Sequence, residues 1–327
     1  MTAAAFPRLK RAEAGLRPVN PRRDMAPLAD LIELCFEGQL DAVGRRMLGE
    51  MRSFGRAGWL GWLLSRMILP PVARSKGFVW EEQGRLVGNA SVMEVEGHRR
   101  RWVLSNVAVH PEYRRRGIAR QLTQAALALV RKRRGKVVLL QVVSDHEVVQ
   151  AMYQSLGFQT LCARTTWRRR PLKLRLRPGG RGSVRLRRPH EWAEQWALAR
   201  RLHPEGLVWP YPLSTAFFRP RSLGAYLGFE TYPHWLWRDG DALIGSLTAY
   251  PSIQRRQWRL ILMVEPEHQG SIEGILLERG LQAMPAGYSA VLDYAHGVGR
   301  EVFEGLGFLE ERTLTWMGLE LEPGVDR

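Results

Sequence analysis

The feature that most constrains this chain is that it repeats itself. Residues 80–92 read WEEQGRLVGNASV and residues 237–249 read WRDGDALIGSLTA. At a constant offset of 157, Trp80, Leu86, Val87 and Gly88 meet Trp237, Leu243, Ile244 and Gly245. RRRW ending at Trp102 answers RRQW ending at Trp258. AVHPEYRRRGIA (108–119) faces MVEPEHQGSIEG (263–274), and YQSLGF (153–158) faces FEGLGF (303–308). Four blocks in one order, with offsets that drift only slightly, describe a duplication. The 327 residues are therefore expected to fold as two domains, 1–176 and 177–327. The Arg/Gly/Pro-rich stretch RLRPGGRGS (175–183) has turn chemistry and little to bury, which makes it the linker.

Each copy shows the same succession of elements. A short strand near Leu16–Pro18 leads into an amphipathic helix at 27–36, and Val184–Leu186 leads likewise into a helix at 190–203. Residues 78–80 and 85–93 read as a hairpin around Gln83-Gly84. Trp102–Val109 is rich in strand formers. Ile118–Arg133 has helical apolar spacing, with Leu122, Ala125, Ala126, Leu129 and Val130 on one face. Lys136–Val143 fits a buried central strand, His146–Ser155 a short helix, and Cys162–Trp167 a final strand. The fold class is α+β: a mixed sheet flanked by helices, twice over. The insert at 44–75 contains WLGWLLSRMIL, expected to pack over its own domain or the other repeat rather than to touch a membrane or gate an acceptor.

Composition enters as a set of exclusions. Hydrophobic residues make up 45% and charged residues 25%, which excludes a wholly disordered chain. The longest apolar stretch, Trp59–Leu69, is broken by Ser65 and Arg66 and is too short to span a bilayer. The first residues lack an apolar signal core, and two cysteines, Cys35 and Cys162, make no disulfide framework; both features point to a cytoplasmic protein. The eight histidines show no metal-ligand spacing, so no metal is expected. The net charge is +17, unevenly placed: 32 basic and 14 acidic side chains precede residue 177, against 17 and 18 after it. Any function served by charge belongs to the first half. RKRRGK (131–136) reads as a solvated helix end, and without a reading module nucleic acid is not an expected partner.

The strongest local signal is Val107–Ala119, VAVHPEYRRRGIA. A strand ends at His110-Pro111, a tight basic loop containing Gly117 follows, and a helix starts at once. Such a loop presents free N–H groups at a helix N-terminus, where they receive an anion. Gly117 permits a positive φ and close approach of backbone to phosphate. Arg114, Arg115 and Arg116 add charge suited to phosphate.

Arg114-x-x-Gly117-x-Ala119 resembles the (Q/R)-x-x-G-x-(G/A) signature of the GCN5-related N-acetyltransferases, the GNAT family. NVAVHP before it resembles that family's fourth strand, and QVVSDH and MYQSLGF after it resemble the fifth strand and next helix. The resemblance covers roughly 15–168 and, in degenerate form, 183–320. It implies two GNAT-like domains with splayed central strands, and acetyl-CoA as acyl donor. By the same resemblance Val107, Ala108 and Val109 line the pantetheine, with Val107 and Val109 pairing to it. Arg114, Arg115, Arg116, Gly117, Ile118, Ala119 and Arg120 hold the pyrophosphate. Tyr153 protonates the departing thiolate, and a Val109 N–H stabilises the oxyanion.

Two positions depart from the family pattern. His146 stands where Asn is frequent, and either binds the cofactor or caps the helix. Ser105 and Asn106 stand on the strand where many members carry a glutamate base. Glu94 and Glu96 on the preceding strand are the substitutes, with Glu94 the candidate base; Glu112 supports the turn. In the second repeat Ile272 is expected where the loop glycine belongs, Glu273 adds a repelling charge, and Phe303 replaces Tyr153. That repeat is expected to be structural or to shape the acceptor site. The reading is an N-acyltransferase acting on an amine of a small molecule, peptide or protein. The alternative is a non-catalytic CoA-binding regulator or a basic scaffold for an acidic partner. Acceptor, acyl-chain preference and oligomeric state stay open.

Overall fold

The computed structural model describes residues 15–38, 42–56, 76–95, 98–171, 184–203, 207–208, 211–212, 215, 218–220, 232–252, 256–285 and 287–321. The apolar stretch 59–69, Glu96 and the linker 175–183 lie outside the described residues. No helix among the described residues is long and apolar enough to cross a membrane.

In chain order the elements are β1 (Gly15–Pro18), α1 (Pro21–Cys35), α2 (Ala42–Arg56), β2 (Lys76–Glu82), β3 (Arg85–Val95), β4 (His98–Val109), α3 (Ile118–Lys132), β5 (Val137–Val143), α4 (Glu147–Gln154) and β6 (Gln159–Arg169). The second series runs β7 (Val184–Leu186), α5 (Trp192–Leu202), β8 (Leu207–Val208), β9 (Tyr211–Pro212), β10 (His234–Asp239), β11 (Ala242–Ser252), β12 (Gln257–Val264), α6 (Glu273–Ala283), β13 (Ser289–Ala295), α7 (Arg300–Gly305) and β14 (Phe308–Glu320). Helix α1 starts six residues before the expected 27, because Asn20 caps it, accepting from the Arg22 N–H at 3.1 Å, and Pro21 opens the first turn.

The chain divides into two compact units. The first holds residues up to 141, 147–160 and the chain from 317; the second holds 142–146 and 161–316. This differs from the 1–176 and 177–327 division. Most of β6 belongs with the second unit, where Arg164–Arg169 pairs antiparallel with Ala290–Ala295 of β13. The last described residues belong with the first unit, where the Leu321 N–H bonds the Lys136 carbonyl at 2.7 Å. Hydrogen-bond partners assign a strand to a sheet, and a strand's own sequence does not name its partner.

Within the first unit β1, β2, β3 and β4 are antiparallel neighbours and β4 pairs parallel with β5. Within the second, β7, β10, β11 and β12 are antiparallel neighbours, β12 pairs parallel with β13, and β13 antiparallel with β6. Within each unit the strand pairing is mixed and mostly antiparallel. The repeat is visible in the register: Trp80 faces Gly88 and Trp237 faces Gly245, and in both hairpins a bulge follows the tryptophan. The glycines are needed for helix contact. A Cβ on Gly88 would lie 3.0 Å from Ile118 and Leu122; one on Gly245 would lie 2.7 Å from Ile272 and 3.2 Å from Leu276. A second repeated device ties the first strand to the first helix. Buried Asp24 takes Arg17 at 2.6 and 2.9 Å, and buried Glu191 takes Arg185.

Helix α3 buries Ile118, Leu122, Thr123, Ala126, Leu127 and Val130, a stripe at i, i+4, i+8 and i+12. Relative to the expected face, Leu127 and Thr123 are added and Ala125 and Leu129 sit at its margin. Gly88→Val is expected to force this helix off the sheet and destabilise the first unit by about 1–3 kcal/mol. The check is the midpoint of denaturant unfolding; an unchanged midpoint would mean that the helix–sheet approach is not close-packed.

Candidate functional site

Strand β4 bonds β5 only over Arg101–Val103 against Val137–Leu139, although β4 runs on to Val109 and β5 to Val143. Past Val103 the strands part, which is the expected splay. The backbone of β4 beyond that point turns a free edge to the gap. The His110 N–H bonds back to the Val87 carbonyl on the β3 side at 2.9 Å. By alternation the Val109 and Val107 N–H groups point the other way, into the gap. Ala108, 3% exposed, packs inward.

A bulge shapes this edge. The β3–β4 register passes from Asn89 opposite Ala108 to Ser91 opposite Ser105, so β4 spends one extra residue. Asn106 absorbs it at φ 52, and the Asn89 amide N–H₂ bonds the Asn106 carbonyl at 2.7 Å. Positive φ is uncommon for a residue with a side chain and is best tolerated by Asn.

The basic loop follows. A 3-10 turn spans Pro111–Tyr113, Arg115 has φ 62, and Gly117 caps α3 at φ 74. The first bond of α3 runs from the Gln121 N–H to the Gly117 carbonyl at 3.1 Å, so the N–H groups of Ile118, Ala119 and Arg120 stand ahead of it. A Cβ on Gly117 would meet nothing closer than the end of Gln121 at 3.9 Å, so the space above the loop is open. A free strand edge, a donor-rich helix start and open space above a glycine fit a thioester cofactor with a pyrophosphate.

The arginines do not share one task. Arg114 turns back and donates from Nε to the Val109 carbonyl at 3.1 Å, beside the Cys35 thiol. Arg116 pairs with Glu82 at 3.0 Å and lies over the Tyr113 ring. Arg120 donates to the Ser155 hydroxyl at 2.7 Å, joining α3 to the end of α4. Arg115 is exposed, and of the four it alone is free of a side-chain partner among the described residues. Ile118 gives the loop its N–H and the core its side chain.

Tyr153 is 5% exposed and packs edge-on to Phe158 at 5.6 Å. Burial pushes its phenol well above the usual tyrosine range, so it keeps its proton through neutral pH. His146 is exposed, one residue before α4. Glu94 is set apart from the gap. It pairs with Trp102, whose ring lies at the end of α3, and it shares the field of Lys76. The candidate base Glu94 thus lies on the opposite sheet face from Asn89, Ser91 and Ser105.

The second unit keeps the frame and fills the loop. Strand β12 bonds β13 only over Gln257–Leu260 against Ser289–Leu292, so these strands part as well. Gly270 takes φ 87, as Arg115 takes 62. Ile272 does not occupy the mouth of the loop as expected: it turns inward against Gly245 and is 6% exposed. The carboxylate of Glu273, fully buried, accepts the Gly270 N–H at 2.9 Å and the Tyr294 hydroxyl at 2.9 Å. An internal anion thus takes a loop donor. Phe303 is buried against Trp167 and Tyr294, and His296 hydrogen-bonds Thr165 at 3.0 Å. Sequence reasoning saw a repelling charge at 273 but missed its partners, because Tyr294 lies 21 residues away.

The sequence profile of the acetyltransferase (GNAT) family matches residues 56–158. N-alpha-acetyltransferase 30 of Schizosaccharomyces pombe is 33% identical over 84 residues, 25% of this chain and 55% of that protein. The match therefore spans about half the length of that curated relative. The crystal structure of a GCN5-related N-acetyltransferase from Sphaerobacter thermophilus superposes over 96% of this chain and 98% of its own, at TM-score 0.62 and 13% identity. A tandem GNAT protein from the clavulanic acid biosynthesis pathway superposes over 95% and 100%, at TM-score 0.53 and 20% identity.

Glu273→Ala is expected to leave the buried Tyr294 hydroxyl without its partner, at a cost of about 1–3 kcal/mol. Thermal unfolding reads this directly, and an unaltered melt would show that the carboxylate is not bonded as described. Residues 56–158 thus match the GNAT family profile, and the chain as a whole shares its fold with GNAT structures, a tandem GNAT protein among them.

Proposed function

We propose that the first unit transfers an acetyl group from acetyl-CoA to an amine, and that the second unit binds no cofactor. The observation that carries this reading is the coincidence of two backbone features in one unit. The gap past Val103 exposes strand N–H groups, and the loop at Gly117 ends in unbonded helix N–H groups. Pyrophosphate at Gly117–Arg120, with Arg115 as its cation, leaves the pantetheine to run along β4 with the Val107 and Val109 N–H groups as its partners.

The chemistry is one displacement. The neutral amine's lone pair forms a bond to the thioester carbon. Negative charge collects on the carbonyl oxygen and is held by a β4 N–H. The C–S bond then breaks, its electron pair leaves on sulfur, and Tyr153 supplies the proton that makes CoA a thiol. The amine nitrogen gives up a proton and the product is an amide. The curated relative's name concerns N-alpha amines, so peptide N-termini join small amines in the first acceptor panel.

Two measurements test this. Acetyl-CoA at a hundred times its Kd should stabilise the protein by about 2.7 kcal/mol, and Gly117→Glu, which puts a carboxylate at the loop and strains φ 74, should abolish the shift. No shift in the natural protein would refute the binding site. Tyr153→Phe should lower kcat with the Kd for acetyl-CoA retained. Unchanged turnover would remove the proton donor and leave the family's chemistry to another group.

A further inference from the structure

Three side chains around the gap hold buried polar atoms with no partner among the described residues: Asn89 Oδ1, Ser105 Oγ and Gln141 Nε2. Their placement is not scattered. Ser105 stands two residues past Val103 and Gln141 two residues past Leu139, the last pair at which β4 and β5 are bonded. By strand alternation both lie on the face that Val103 and Leu139 share. Asn89 reaches the same place through the register. Ser91 is opposite Ser105, and the Asn89 amide donates to the Ser91 hydroxyl at 3.3 Å and to the Asn106 carbonyl at 2.7 Å. Asn89 is fully buried.

The second unit supplies a control within the same chain. Ser246 and Thr248 stand at the offset of 157 from Asn89 and Ser91, also fully buried. There the Gln195 amide, on α5, donates to Ser246 at 3.2 Å and Thr248 at 3.1 Å, and His234 bonds Thr248 at 2.9 Å. In the second unit both members of this pair are bonded by side chains from other elements, and the position opposite Thr248 is the apolar Ile261. In the first unit Asn89 and Ser91 bond each other, and Asn89 Oδ1 and the Ser105 hydroxyl opposite Ser91 have no partner among the described residues. Buried polar atoms without a partner cost free energy, and such sites are held by ordered water or ligand.

We infer that Asn89, Ser105 and Gln141 form a neutral water-binding site where β4 and β5 part, and that this water carries away the proton of the attacking amine. The second half of the statement rests on the transferase reading above. The donors match. Water donates to Asn89 Oδ1, accepts from Gln141 Nε2 and exchanges either role with Ser105 Oγ. The site carries no charge, so it favours the neutral, nucleophilic amine over its ammonium form. As the N–C bond forms, the nitrogen's proton passes to the water oxygen, and the excess proton leaves to solvent when CoA departs and the gap opens. The C–S pair departs on sulfur as before. With Glu94 on the other sheet face, the role of proton acceptor is open, and these three residues position the water that fills it.

The test has two arms. A crystal structure that resolves solvent should show an ordered water within hydrogen-bond distance of the three atoms, absent in Ser105→Ala and Gln141→Leu. No water there, or three side chains turned to protein partners, overturns the site whether or not the protein is active. In the kinetic arm, Ser105→Ala should lower kcat by about a hundredfold with the acetyl-CoA Kd unchanged. Ser105→Thr, which keeps a hydroxyl, should restore most of it. Unchanged kcat, or a kcat loss matched by lost acetyl-CoA binding and no rescue by Thr, overturns the relay. If the natural protein binds no acetyl-CoA, the transferase reading falls, and the crystallographic arm alone decides the water site.

Discussion

Strands β4 and β5 are bonded over three residues, Arg101–Val103 against Val137–Leu139, and then each presents backbone groups that the other does not answer. Buried N–H and C=O groups must find partners, so a ladder that stops early inside a sheet creates a demand for one. The rest of the first unit is arranged around that demand. The bulge at Asn106 bends the free edge, Asn89 pins the bulge through the Asn106 carbonyl, and Gly117 starts a helix whose first N–H groups stand ahead of its first bond. A molecule with an extended amide-bearing arm and a diphosphate answers both ends at once.

The two repeats show what happens when such a demand is met internally. Both keep the parting strands, the tryptophan–glycine register and the Arg–carboxylate tie between first strand and first helix. They differ in who supplies the anion. Glu273 carries its own into the second loop and is held there by Gly270 and Tyr294. The sheet face differs too: Gln195 and His234 bond Ser246 and Thr248 in the second unit, while in the first Asn89 Oδ1, Ser105 Oγ and Gln141 Nε2 have no partner among the described residues. Retaining the frame while closing the site is what a domain kept for structure is expected to do, since burial of the core and not the loop holds the fold.

Much of this was legible in the residues. Period-two and helical patterns located β2 through α4 to within a few residues, the offset of 157 named equivalent positions that the register bears out, and the loop signature marked a positive φ at Gly117. What the sequence withheld were long-range pairings. β6 belongs by sequence to the first repeat and by hydrogen bonds to the second unit. Arg114 and Arg116 read as phosphate ligands because local charge is visible, whereas the Val109 carbonyl and Glu82 that claim them are not. Glu94 was a candidate because carboxylates suit base catalysis; which sheet face it takes depends on its pairing with Trp102. Ile272 looked like an obstruction until its contact with Gly245 showed it belongs to the core.

On the proposed reading one repeat answers its free edge with acetyl-CoA and the other with its own side chains. Calorimetric titration of the whole chain with acetyl-CoA tests it most directly. One molecule bound per chain is the expected result. Two bound molecules would contradict it by showing that Glu273 does not close the second loop, and none would show that the first gap is not a cofactor site.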